Sequence, residues 1–202
     1  MEAFSDGVFA ILITILVLEF SVPACKAGSL KAAVLQQWPQ LAAYLMTFTY
    51  IGVLWLFHND LFNEVRQTDA RLNVLNLLSL FLTTLLSYSM SLLSSSLVSM
   101  NADDLRFSVM LYALIALGIS LSYDLLYAYL YRNKHLLKSE EISSRFRSQR
   151  RYPLASIAVY LCSLLAAAVQ VRIGLAFLLV GIVFHYIAYW KVENRSSGRH
   201  IQ

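Results

Sequence analysis

The stretch FSDGVFAILITILVLEF, Phe4–Phe20, decides how this chain folds. It opens with Ser5 and Asp6 and then holds a single polar side chain, Thr14, before it reaches Glu19. A helix needs about 20 mostly apolar residues to cross the hydrocarbon core of a bilayer. The stretch therefore predicts a membrane-spanning helix with polar groups at both of its ends.

The rest of the chain has the same apolar character. Of its 202 residues, 58% are hydrophobic and 14% are charged, whereas a soluble domain is nearer a quarter charged. The apolar runs lack the period-2 alternation of membrane strands. We therefore expect an all-α fold class, a polytopic membrane protein with six transmembrane helices in one domain covering residues 1–202. The spans are expected at 3–20, 39–57, 72–93, 105–131, 152–171 and 173–190.

Two features of these spans lead to further expectations. The first stretch lacks a basic leader and a small-residue cleavage site, so we interpret it as a span that the mature protein keeps. The last two spans meet almost without a loop at 172–174, which predicts a tight antiparallel pair.

Cys25 and Cys162 fit neither a metal-binding spacing nor a disulfide framework.

The positions of the basic residues predict the orientation. Twelve of the 16 Lys and Arg residues fall on the side of both termini and four on the other side. The positive-inside rule then places both termini in the cytoplasm. Seven of the twelve lie in the linker 132–151, which we interpret as a solvated loop that enforces topology; binding to anionic lipid headgroups is the alternative. The net charge of +4 is not a nucleic-acid footprint.

The first span has two different faces. Asp6 lies about 140° from Ile11 at about 100° per residue. Because an acid at membrane depth needs partners, Ser5 and Asp6 are expected to point into neighbouring helices. The opposite face packs within one chain or lines a pore, and it holds Gly7, Ile11, Thr14, Ile15 and Leu18.

Other polar side chains offer candidate partners. Trp55 and His58 end the second span, and His58 lacks the companions that a metal site needs. The third span carries a polar stripe interpreted as interhelical hydrogen bonds, worth roughly 0.6 kcal/mol each: Asn73, Asn76, Ser79, Thr83 and Ser87. Asp124 is expected to pair with a tyrosine hydroxyl or to reach water, with a role in permeation as the alternative, and His185 is expected to be packed or interfacial. No enzyme motif and no TVGYG filter occurs, so no catalytic activity is expected.

The sequence FSDGVFAI at 4–11, with LVLE at 16–19, resembles the first-helix signature of the TMEM175 family, the endolysosomal potassium channels and their bacterial relatives. Residues of the next two spans are also similar to that family: Trp55, His58, Asp69, Arg71, Asn76 and Leu77. Two positions depart from the family pattern. The family has an arginine four residues before the Phe of this motif, a position just before Met1. It often has Pro-Phe near the end of the third span, where this chain has Ser87 and Tyr88.

The resemblance implies a bacterial member that assembles as a homotetramer, with the first helix lining a central pore. Ile11, Ile15 and Leu18 would form a hydrophobic constriction. Thr14 would supply a selectivity-related ring of hydroxyls, and Glu19 an outer mouth that attracts cations.

The remaining expectations concern anchoring, function and location. Ser5, Asp6, His58 and Asn76 would hold the pore helix in place. The function would be a potassium-permeable cation channel of the bacterial inner membrane that conducts monovalent cations and uses no cofactor. A secondary transporter, a scaffold or a proton-conducting protein are the alternatives, although the inverted repeats and broken helices of transporters are not evident.

Overall fold

Long apolar helices make up most of the chain in this computed structural model, which describes residues 1–20, 23 and 25–197. Short 3₁₀ turns at Leu16–Glu19 and Lys134–Leu136 follow the first and fifth helices. The α-helices are α1 (Glu2–Ile15), α2 (Leu30–Gln36), α3 (Trp38–Asn63), α4 (Ala70–Ser99), α5 (Ala102–Arg132), α6 (Glu140–Gln149), α7 (Arg151–Val169) and α8 (Val171–Ser197).

Five segments in the described part of the chain are long and apolar enough to cross a membrane. They are Trp38–Asn63, Ala70–Ser99, Ala102–Arg132, Glu141–Val169 and Val171–Lys191. The chain is therefore a multi-pass helical membrane protein. The α-helical part of α1 has 14 residues, and the 3₁₀ turn adds four. At about 1.5 and 2.0 Å per residue the two rise roughly 29 Å, close to the hydrocarbon thickness. A sixth span at α1 stays a prediction.

Side-chain caps explain where two long helices begin. The Asp69 carboxylate accepts a hydrogen bond from the Leu72 backbone N–H at 2.8 Å, which satisfies a free donor in the first turn of α4. Its other oxygen accepts a hydrogen bond from the Tyr129 hydroxyl at 2.6 Å. The bond from Tyr129 contributes most, and the bond from Leu72 adds to it, in lowering the pKa of Asp69 below its usual range. Asn101 caps α5 in the same way, through Asp103 and Asp104.

The last two membrane helices form the predicted tight pair, but their joint lies at Gln170 and not at 172–174, which belongs to α8. Only Gln170 separates α7 from α8. A Cβ at Gly174 would lie 2.5 Å from the Cβ of Ala167, so glycine is required where the two backbones approach. The Ser163 hydroxyl donates to the Gly174 carbonyl oxygen at 2.8 Å.

The linker at 132–151 is not the solvated loop that we expected. It contains α6, and both Ile142 and Phe146 of this helix are buried. The Phe146 ring packs edge-on against Tyr127 of α5, with ring centroids 5.4 Å apart. An antiparallel bridge between Val65 and Leu137 ties the linker to the segment that joins α3 and α4. The apolar side chains of the linker therefore fold it onto the helix ends despite its charge.

Most of the polar stripe on α4 does not bond between helices as interpreted from the sequence. The Ser79 hydroxyl donates to the Asn76 carbonyl and the Thr83 hydroxyl to the Ser79 carbonyl, both within α4. Such back-bonding satisfies a hydroxyl that has no water to contact. Asn76 is different, because its side chain reaches α1 and α3.

Candidate functional site: the first helix and its anchoring site

The inward face of α1 is buried against the rest of the chain. Ser5, Phe9, Leu12 and Leu16 recur at spacings of four, three and four, and each exposes at most 4% of its surface. This spacing places them on one side of the helix. They pack α1 onto α3 and, near its start, onto α4.

The outward face of α1 is apolar and exposed in the single chain. Ile11 exposes 60% of its surface, Ile15 39% and Leu18 76%. Gly7 and Thr14 lie on the same face and are also exposed, and an added Cβ at Gly7 would meet nothing within 4 Å. The alternative that this face packs against other helices of its own chain is therefore wrong.

A directional chain of hydrogen bonds connects the start of α1 to α3 and α4. The Asn76 side-chain amide donates to the Ser5 hydroxyl oxygen at 2.9 Å. The Asn76 Oδ1 lies 2.7 Å from the His58 Nε2. Because Oδ1 can only accept, Nε2 carries the proton. Ser5 in turn donates to the Met1 carbonyl at 3.2 Å. Three helices thus meet through side chains that are almost fully buried.

The His58 ring is held by its neighbours as well as by Asn76. Phe62 stacks on it with centroids 4.4 Å apart and an interplanar angle of 19°. Phe9 of α1 contacts it at 5.3 Å. The Nδ1 atom is buried and has no hydrogen-bond partner among the residues that the structure describes, which fits a neutral ring with its proton on Nε2.

Asp6 has a separate partner on α3. The Trp55 indole N–H donates to the Asp6 Oδ1 at 2.9 Å. Trp55 lies one turn before His58, so a single stretch of α3 contacts both polar residues at the start of α1. The sequence-based expectation that Asp6 points toward neighbouring helices agrees with this contact. Its anchoring role, like that of Ser5, His58 and Asn76, stays a prediction.

The hydroxyl of Thr14 is oriented by its own helix. Thr14 Oγ1 lies 2.9 Å from the Ile11 carbonyl oxygen and 3.0 Å from that of Ala10. The hydroxyl proton is therefore donated to the backbone, and lone pairs on the oxygen remain available on the exposed face. This geometry lets Thr14 act as an acceptor, as coordination of a cation would require.

The far end of the candidate pore helix is also tied to α3. Glu19 is exposed and ends the 3₁₀ turn. The next residue, Phe20, packs edge-on against Tyr44 with ring centroids 5.3 Å apart. The backbone at Glu19 is thus held near α3 while its carboxylate remains accessible.

Two ion pairs near the linker were missed by sequence reasoning. The tyrosine partner expected for Asp124 is wrong, because Arg150 binds its carboxylate with two hydrogen bonds, of 2.9 and 2.8 Å; the carboxylate also stays partly exposed. Arg145 pairs with Glu64. An acid in a membrane helix calls for a cation, and this rule could have pointed to Arg150.

His185 is packed as expected, and its Nδ1 donates to the Gly181 carbonyl oxygen at 2.7 Å.

The described residues contain no group of three or more His, Cys, Asp or Glu side chains that could hold a metal ion. Cys25 and Cys162 are free and exposed. The chemistry available on the outward face of α1 is therefore that of an apolar surface with one hydroxyl oxygen, not of a metal centre.

Comparison with known proteins identifies the fold. The family described as "Endosomal/lysosomal potassium channel TMEM175" matches residues 1–86. A protein named as a potassium channel from Streptomyces collinus is 35% identical over 159 residues, covering 78% of this chain and 76% of that protein. The crystal structure of a lysosomal potassium-selective channel TMEM175 homolog from Chamaesiphon minutus superposes with a TM-score of 0.80 at 28% identity, covering 93% of this chain and 95% of that one.

An animal relative carries a different name. The endosomal/lysosomal proton channel TMEM175 of Mus musculus is 43% identical over 89 residues, which cover 40% of this chain and 18% of that protein. The family match includes Ser5, His58 and Asn76. The chain therefore belongs to the TMEM175 family of ion channels and has the fold of its bacterial potassium-channel members.

Proposed function

We propose that this protein is a potassium-permeable cation channel in which four copies of the chain surround a central pore lined by α1. The relatives named as potassium channels support the ion class. One short chain offers a single candidate pore helix, and closed cyclic symmetry is the common way to complete such a site.

The exposed Ile11–Leu18 face of α1 is the observation that carries this proposal. Lipid could cover an apolar face, but this one also includes Thr14 and the open space beside Gly7. The opposite face accepts hydrogen bonds from the side chains of Asn76 and Trp55. A helix held on one side by directional bonds can present its other side at a defined radius from an axis.

Rings of Ile11, Ile15 and Leu18 would form a hydrophobic constriction, which can close by losing its water. Such rings offer an ion no oxygen. The Thr14 hydroxyls would supply acceptor oxygens between the levels of Ile11 and Ile15. A potassium ion sheds its hydration shell at a lower cost than a sodium ion does, so this ring would favour potassium. Glu19 would raise the cation concentration at the outer mouth.

Location and orientation follow the charge distribution. The protein would lie in the bacterial inner membrane with both termini and the linker 132–151 in the cytoplasm, because the Lys and Arg residues concentrate on that side.

Proton conduction is the second candidate, because the mouse relative is named a proton channel. A proton could pass along water beside Thr14 without the widening that a potassium ion needs.

The test is reconstitution of the purified protein into liposomes or planar bilayers. Native mass measurement should give four chains, and currents should reverse near the potassium equilibrium potential under a potassium–sodium gradient. Reversal at the proton equilibrium potential would favour the second candidate. A monomer as the only species, with no current, would overturn both.

A further inference from the structure

The junction of α6 and α7 carries two exposed arginines that no carboxylate neutralises among the described residues. Arg147 and Arg151 are exposed, and neither has an ion-pair partner among the described side chains. Arg145, two residues before Arg147, is paired with Glu64. Arg150, next to Arg151, is paired with Asp124. The junction therefore separates its arginines into an inward pair that is neutralised and an outward pair that is not.

The two outward arginines lie on the same face. Only Arg150 separates α6 from α7. It has helical dihedral angles, φ −54 and ψ −22, and its backbone N–H and C=O bond to Phe146 and Leu154 as in a helix. Residues four apart on a helix are neighbours, with Cβ atoms about 5–6 Å apart. Two positive charges at this spacing repel each other unless an anion lies between them.

Aromatic side chains hold both arginines in place. The Arg147 guanidinium lies 5.8 Å from the centroid of the Tyr131 ring at the end of α5. The Arg151 guanidinium lies 4.8 Å from the centroid of the Tyr152 ring, and its Nη2 is 2.9 Å from that residue's hydroxyl. Tyrosines at the ends of membrane helices mark the headgroup level of the bilayer. We therefore expect the arginines to lie at the depth where lipid phosphates are found.

We propose that Arg147 and Arg151, with Tyr131 and Tyr152, bind the phosphate of an anionic phospholipid in the leaflet on the linker's side of the membrane. Two planar guanidinium groups one turn apart can donate several hydrogen bonds to one phosphate. The segment that carries these arginines is packed on the helical core, because Arg150 and Phe146 on its inner face contact α5.

An anionic lipid fits this site better than a soluble phosphate does. The site lies at the surface rather than in an enclosed pocket, so a free anion would be exposed to water on most sides. A lipid is already concentrated at this depth, and a basic side chain near an anionic membrane surface strengthens its binding by about fivefold.

Native mass spectrometry in mild detergent tests the proposal. The full chain is mixed with phosphatidylglycerol and phosphatidylcholine of identical acyl chains, and the ratio of the two retained lipids is measured. We expect retention to favour phosphatidylglycerol. The double variant Arg147→Gln, Arg151→Gln should reduce that preference by roughly 25-fold, from about fivefold per arginine, whereas Arg147→Lys, Arg151→Lys should retain most of it.

A matched control removes two charges from the opposite side of the membrane. Lys26 and Lys31 are exposed before and within α2, so Lys26→Gln, Lys31→Gln should leave the lipid ratio unchanged. An unchanged ratio in the double arginine variant, verified as folded by its circular dichroism, would overturn the proposal. Equal loss in the lysine control would overturn it too.

A further arm separates the two sources of phosphate. Inorganic phosphate at about 10 mM, well above the weak affinity expected of an open surface site, is compared with chloride at the same ionic strength. We expect the lipid ratio to be the same in both salts. Displacement of phosphatidylglycerol by phosphate alone would show that the site takes a soluble anion, and the lipid proposal would be wrong.

Discussion

The two faces of α1 are both largely apolar, but they differ in how their polar side chains bond. On the inward face, Ser5 is fully buried and bonded to Asn76, whereas on the outward face Ile11 and Leu18 are exposed by more than half. In a membrane the polar side chain is the one that gains from an internal partner, because lipid tails are as apolar as leucine. We therefore expect the inward face to specify where α1 lies and the outward face to be free to serve a function.

Breaking the inward face should give the largest effect. Asn76→Ala removes two interhelical hydrogen bonds and leaves the His58 Nε2–H buried without an acceptor. An unsatisfied buried group costs about 1–3 kcal/mol, so we expect a loss of about 2 kcal/mol in the free energy of unfolding. Unfolding in detergent with increasing denaturant measures it. Thr84→Ala is the control, because Thr84 is exposed on the same helix and donates only within it; equal losses in the two variants would contradict the anchoring role.

Changing the outward face should affect conduction rather than stability. Ile11→Asn replaces an apolar ring by one that holds water, so the potassium current should rise roughly tenfold, equivalent to about 1.4 kcal/mol in the barrier. The preference for potassium over sodium should fall. Ile13 is partly buried against the core, and Ile13→Ala should lower stability with little change in selectivity. An Ile11→Asn channel with normal current would count against a constriction at this level.

A smaller effect is expected from the hydroxyl ring. Thr14→Val keeps the branched shape but removes the oxygen that faces outward. Loss of one polar contact of about 1 kcal/mol corresponds to roughly a fivefold change, which should appear in the permeability ratio of potassium to sodium measured from reversal potentials. Because the Thr14 hydroxyl bonds only within α1, the assembly should stay intact. An unchanged ratio would remove Thr14 from the selectivity mechanism.

The smallest effect is expected from weakening the Asp69 cap at the start of α4, the helix that carries Asn76. The Tyr129 hydroxyl is the main cause of the lowered pKa of Asp69. A lowered pKa in the folded state stabilises the protein above the ordinary value, 3.8, and this contribution disappears as the pH falls through the folded-state pKa. Tyr129→Phe should therefore be less stable than the native chain at about pH 7, and the difference in stability should be smaller at about pH 2, below the ordinary value, because the folded-state carboxyl gains protons as the pH falls. A stability difference that is the same at both pH values would contradict this explanation.

The sequence was sufficient to predict the two faces of α1, because a helical period of about 100° fixes which residues share a side. It also indicated Trp55, His58 and Asn76 as partners, since few polar groups occur at that depth. The sequence could not predict the distances between contacting side chains. The side chains of Glu64 and Arg145, 81 residues apart in the chain, meet only because the linker folds back on the end of α3.

The helix in the linker was missed for a related reason. Its charged residues outweigh its apolar ones, so the segment looks solvated when only composition is considered. Ile142 and Phe146 are spaced four residues apart, which indicates one helical face. Weighting that spacing above the charge would have predicted α6, although not its contact with Tyr127.

Cysteine accessibility tests the central claim most directly, that the outward face of α1 lines the conduction path. Cys25 and Cys162 are first replaced by serine, because both are exposed. Single-channel currents are then recorded for Ile11→Cys and Ile13→Cys before and after a small, cationic thiol reagent is added. The claim predicts an irreversible fall in current for Ile11→Cys and no change for Ile13→Cys. Unaffected currents in both variants, with labelling of the introduced thiol in Ile11→Cys verified by mass, would contradict it.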